Sequence, residues 1–121
     1  MAVRSYRDLT AWQRGMDLVV EVYKLTRCFP REEIYGLVNQ LRRAAVSIPS
    51  NIAEGQGRGA GKEFVHFLRI ARGSAQEVET QLVIAERLGF VTSDQTKTTL
   101  GLADEVCRLI MGLSRSLSES S

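Results

Sequence analysis

The chain has 121 residues, 44% of them hydrophobic and 25% charged, with a formal net charge of +2. That is enough for one domain with a core that needs no metal or disulfide, and no apolar run approaches the roughly 20 residues that span a bilayer. The N-terminal stretch MAVRSYRDLTAWQRG lacks the apolar centre of a secretion signal, so a cytoplasmic protein without membrane contact is expected.

Ala, Leu, Val, Glu and Arg dominate and aromatics are few, which favours helices over strands. The first helix is predicted over about 10–27. Thr10 with Gln13 three residues on suggests a capping box, and Trp12, Met16, Val19, Tyr23 and Thr26 recur at helical spacing as its inward stripe. Phe29-Pro30 ends it, because the residue before a proline is pushed out of the α region.

The second helix is predicted over about 32–56, with Glu32 and Glu33 against the positive end of its dipole. Ile34, Leu37 or Val38, Leu41, Ala45, Ile48 and Ile52 keep the 3–4 spacing straight through Pro49. An in-helix proline costs about 3 kcal/mol; the unbroken pattern therefore predicts a kink and not a stop. GQGRGAG, residues 55–61, is the break.

The third helix, about 61–88, carries a seam of Phe64, Leu68, Ala71, Ala75, Val78, Leu82 and Ala85, with Gly89 as its C-terminal cap. The fourth, about 93–117, starts at a Ser93 or Asp94 cap and runs through Leu100, Ala103, Cys107, Ile110 and Leu117, leaving SLSESS as a frayed tail. No strand-like alternation survives. An all-α, antiparallel up-down-up-down four-helix bundle in a single domain, 1–121, is the expected fold.

Charge is unevenly spread. Residues 1–72 hold twelve Lys/Arg against seven Asp/Glu, whereas residues 73–121 hold four against seven. This suits a polyanion partner and head-to-tail self-association equally. Arg42, Arg43, Arg58, Lys62, Arg69 and Arg72 fall on the second and third helices and are the candidate nucleic-acid contacts. No aromatic platform interleaves with them, so backbone-directed binding is expected in place of base reading.

Arg43, Ser47, Ser50 or Asn51, Glu54 and Arg58 form a polar stripe beside the core, either a contact surface or a solvated face with one weak Glu54–Arg58 pair. Gly73-Ser74-Ala75 opposite Ala44-Ala45-Val46-Ser47 lets the two central helices approach closely.

Catalytic and metal chemistry find little support. GQGRGAGK is followed by Glu63 where a phosphate-binding loop needs Ser or Thr, and a helix precedes it where that loop needs a strand. His66 is the only histidine, with no second ligand or nucleophile at useful spacing. Cys28 and Cys107 lie far apart in sequence; two free, mostly buried thiols are expected, pairing being the alternative. No enzyme, cofactor or metal site is expected.

The long motifs YGL-x3-LRRAAVSIP-x-NIAEG and FL-x-IARGS-x-x-E-x-ET, within a match running from Tyr6 to about Phe90, resemble the bacterial four-helix-bundle family encoded in intervening sequences of 23S rRNA genes. The resemblance implies an antiparallel bundle assembled as a homopentamer and a nucleic-acid connection, since a related accessory protein of diversity-generating retroelements works beside RNA. Ser47, Pro49, Asn51, Glu54, Gly73 and Ser74, which the family motif covers, are the candidate subunit-interface or structural positions, although the resemblance does not divide ligand contacts from subunit contacts. The expected function is thus an oligomeric accessory protein binding RNA or DNA through a basic surface. The alternative is an assembly module that takes a protein partner and no nucleic acid.

Overall fold

The structure, a computed structural model, describes residues 5–59 and 61–120. It is all-helical, with no strand among the described residues: α1 (Thr10–Thr26), α2 (Leu37–Gly57), α3 (Lys62–Arg87) and α4 (Ser93–Ser120), plus short 3-10 turns at Tyr6–Asp8 and Arg31–Glu33. Each helix packs on its neighbour in the chain, and α4 returns against α1. The diagonal pairs α1–α3 and α2–α4 bring no Cα atoms within 8 Å of each other among the described residues. Every helix therefore turns one face to a shared core that includes Leu18, Leu41, Ile48, Ile52, Leu68, Leu82 and Ile110.

The inward face of α1 only partly follows the predicted stripe: Thr26 is buried and Trp12 and Val19 pack against the core's edge. Ala11, Gly15, Leu18, Val22 and Thr26 are buried, while Met16 and Tyr23 are about 40% and 39% exposed and Trp12 and Val19 only partly covered. The larger residues of the expected stripe mark the edge of the core face, which combines Leu18 and Val22 with the small Ala11 and Gly15. A Cβ on Gly15 would stand 3.5 Å from Ile48 and 3.7 Å from the ring of Pro49. Nor does Thr10 cap α1. Its N-cap is Leu9, without a side-chain bond, and the capping box belongs to Ser5 and Asp8 one turn earlier. Gln13 instead donates from Nε2 to the Arg7 carbonyl.

α2 starts five residues later than expected. The chain first makes the turn at Arg31–Glu33, then passes Gly36 in a non-helical conformation (φ −107°, ψ −115°), leaving Ile34 exposed. Glu33 still serves the helix end: its carboxylate accepts from the Leu37 N–H at 3.1 Å. The helix then runs unbroken through Pro49, which is buried. That proline has no N–H to offer the carbonyl one turn back, and its ring fills the space that Gly15 leaves on α1. The glycine loop ends α2 as expected, with Gly59 and Gly61 at positive φ; Ala60 lies outside the described residues.

The whole predicted seam of α3 is buried. Gly89, at φ 79°, closes the helix: its N–H reaches the Glu86 carbonyl and the Phe90 N–H reaches that of Ala85, each at 3.0 Å. This is the paired 5→2 and 6→1 arrangement that a left-handed residue permits. At α4 neither Ser93 nor Asp94 is the cap. Thr92 Oγ1 accepts from the Gln95 N–H and Gln95 Oε1 accepts from the Thr92 N–H, a capping box one residue upstream. The tail expected to fray is helical to Ser120.

Specific polar contacts lock the helices. On α1 and α4, Arg14 grips Glu105 with two bonds of 3.0 and 3.1 Å. The hydrogen bond from Arg14 is the main cause holding the Glu105 carboxyl below its usual range. Between α2 and α3, Ser47 Oγ and Ser74 Oγ lie 2.9 Å apart, and Gln40 faces Gln81. Near the loop, a Cβ on Gly55 would clash at 2.9 Å with both Phe64 and Phe67. Along α2 these contacts advance from Gln40 to Gly55 while on α3 they retreat from Gln81 to Phe64.

Candidate nucleic-acid interface

The six basic residues singled out in the sequence do not form one patch. Arg42 and Arg43 line a trough of about 580 Å³ beside α1. Lys62, Arg69 and Arg72 face α4. Arg58 lies at the glycine loop, lines neither the trough nor this face, and is neutralised there. Its Nε lies 3.1 Å from Glu54 and its Nη1 3.9 Å from Glu63, with the guanidinium 5.3 Å from the Phe67 ring centroid. A pair this exposed is worth about 0–1 kcal/mol, but it occupies the charge that a phosphate would need.

The α3 group gains a partner. Lys62, Val65, Arg69 and Arg72 recur at 3, 4 and 3 and so share one face of α3. Opposite them, Ser114, Arg115 and Ser118 come from α4. Two adjoining cavities of about 250 and 370 Å³ share Val65, Arg69 and Ser118, making a continuous groove. Among the described residues no carboxylate lines it. Lys62, Arg69, Arg72 and Arg115 take part in no ion pair among the described residues. Arg115 escapes a reading of the sequence because it lies in the acidic half. Its place, toward the opposite end of α4 from Asp94, becomes plain only once α4 folds back on α3.

The trough beside α1 holds aromatic residues that sequence spacing does not place near the arginines. The Arg42 guanidinium lies 4.5 Å from the centroid of the Tyr23 ring, and its Nε donates to Thr26 Oγ1 at 2.9 Å. Tyr35, at the foot of α2, is 91% exposed. In the sequence Tyr23 reads as part of the inward stripe of α1 and Tyr35 belongs to no stripe; the turn at Arg31–Glu33 between them sets their approach.

The six motif positions separate too. Ser47 bonds both Ser74 and Asn51, whose Nδ2 also donates to the Ser47 carbonyl, so these three form a network between α2 and α3. Pro49 packs inward on α1. Glu54 pairs with Arg58. A Cβ on Gly73 would meet nothing within 4 Å, so the close approach of the central helices rests on Gly55 and on the serines.

The remaining reactive groups are dispersed. Cys28 is exposed, contrary to expectation, because α1 ends before it; its Sγ donates to the Leu25 carbonyl. Cys107 is half-buried beside Glu79, and burial with that carboxylate pushes its thiol up to about 11. His66 packs its ring edge-on against Phe67. Among the described residues no three His, Cys, Asp or Glu side chains come close enough to hold a metal ion, and no helix is long and apolar enough to cross a membrane.

Residues 7–112 match the family model described as 23S rRNA-intervening sequence protein. No curated protein matches significantly. Among solved structures, the chain is similar to a protein of unknown function from the S23 ribosomal protein family of Bacteroides thetaiotaomicron. The two share 22% identity and a TM-score of 0.79, over 87% of this chain and 95% of that one.

Proposed function

The chain belongs to the 23S rRNA-intervening sequence protein family, and from that premise we propose that it is a non-enzymatic, cytoplasmic accessory protein that holds the phosphate backbone of RNA or DNA in the α3–α4 groove. The observation that carries this is the row of four cations, Lys62, Arg69, Arg72 and Arg115, which among the described residues join no ion pair and face no carboxylate. Lys62 to Arg72 spans about 15 Å of helix, or roughly four steps of a duplex. Phosphates displaced from their counterions would supply the affinity, with the Ser114 hydroxyl adding a bond and no base identity read.

The same proposal includes an antiparallel up-down-up-down bundle and a homopentamer. The opposite running of contacts along α2 and α3 supports the first. Two separate apolar surfaces support a ring: Met16, Val20 and Val46 on one side, Val83, Ile84 and Leu88 at the end of α3. A cyclic head-to-tail assembly needs two different faces on each chain. These surfaces also favour the second reading, an assembly module that binds protein alone.

Anisotropy of a labelled RNA hairpin titrated at several salt concentrations separates the two. Arg69→Glu with Arg72→Glu should weaken binding and lower the salt slope by about 2, leaving the helical content unchanged. Undiminished affinity in this variant would remove the groove as the binding site.

A further inference from the structure

The trough between the end of α1 and the start of α2 has a different chemistry from the α3–α4 groove. Tyr23 and Tyr35 border it, Arg42 and Arg43 supply positive charge, and Asn39 supplies a hydrogen-bonding amide. No carboxylate lines it and neither arginine is ion-paired among the described residues. Its volume of about 580 Å³ falls within the range of small-ligand sites.

Arg42 is set in advance: stacked on Tyr23 and tethered through Nε to Thr26, whose own hydroxyl donates to the Val22 carbonyl at 2.8 Å. The backbone that carries Tyr35 is also held. The Gly36 N–H bonds the Glu33 carbonyl at 3.0 Å and the Glu33 carboxylate caps Leu37, so the turn holds Tyr35 out in water at 91% exposure. An aromatic ring so exposed beside two guanidinium groups without a carboxylate partner suits a ligand that alternates flat rings with negative charges.

We propose that this trough binds an unpaired stretch of a nucleic-acid strand, with a base stacked on Tyr35 and its flanking phosphates on Arg42 and Arg43. This rests on the nucleic-acid function proposed above and narrows it to strands with unstacked bases, because a duplex keeps its ring faces buried. Asn39 on the same trough can bond a base edge, giving some preference among bases. A peptide partner would need acidic and aromatic side chains in the same alternation, which a nucleic-acid strand has by construction.

The test compares anisotropy of a labelled 12-nucleotide single-stranded RNA with that of a blunt duplex of the same length, for the full chain. Single strand should bind more tightly than duplex. Tyr35→Ala should cost the single strand about tenfold or more in affinity and leave the duplex unchanged, while Tyr35→Phe retains binding. Because Tyr35 is exposed, these variants should keep the fold, which circular dichroism checks. Equal affinity for both nucleic acids, unaffected by Tyr35→Ala but lost in Arg69→Glu/Arg72→Glu, overturns this site and leaves the α3–α4 groove standing. Failure of the unaltered chain to bind either one overturns both. A change of oligomer mass in Tyr35→Ala overturns it in favour of a subunit contact.

Discussion

At the scale of single residues, two glycines on facing helices have opposite roles. Gly55 faces Phe64 and Phe67 so closely that any Cβ must push α2 off α3, whereas Gly73 faces open space. Gly55→Ala is expected to destabilise by about 1–3 kcal/mol. Gly73→Ala should be neutral or gain up to about 1 kcal/mol from helix propensity. Denaturant unfolding of the two variants checks both. The sequence motif contains both glycines, and nothing in their spacing tells them apart; the difference is a matter of which side of the helix meets phenylalanine. The cysteines separate on similar grounds. Iodoacetamide at pH 8 should label exposed Cys28 and spare Cys107, whose thiol is held protonated up to about 11. Since folding raises that pKa, the related stability is complete below about 9 and is lost as pH climbs toward 11. Denaturant midpoints of Cys107→Ala should therefore fall less than those of the unaltered chain across that alkaline window.

At the scale of elements, periodicity suffices where one face alone is apolar. α3 is such a helix: all seven seam residues from Phe64 to Ala85 are buried. It misleads on α1, which is apolar on two sides, because large side chains outweigh Ala11 and Gly15 in any hydrophobic count although those two are buried and Gly15 sits at the helix contact. Helix ends are less legible still. Thr92 and Gln95 have the spacing of a capping box, but Ser93 and Asp94 between them are equally good caps by residue type. Thr92→Ala should lower stability by about 1 kcal/mol, read as a shift in the unfolding midpoint. Ser93→Ala should do little.

At the scale of the whole molecule, the basic and acidic halves of the chain do not become basic and acidic sides. Folding α4 back on α3 brings Arg115 from the acidic half to Arg69 and Arg72, while Arg58 from the basic half is absorbed by Glu54 and Glu63. Linear charge counting therefore suggests a polyanion partner but names only part of the surface. The rest depends on which helices are neighbours. Light scattering of the purified chain with and without a short structured RNA, at low and at moderate salt, tests the proposed function most directly. The expected result is a species near five times the 13.5 kDa chain mass that gains mass with RNA and sheds it as salt rises. An oligomer whose mass is indifferent to RNA at low salt would contradict it.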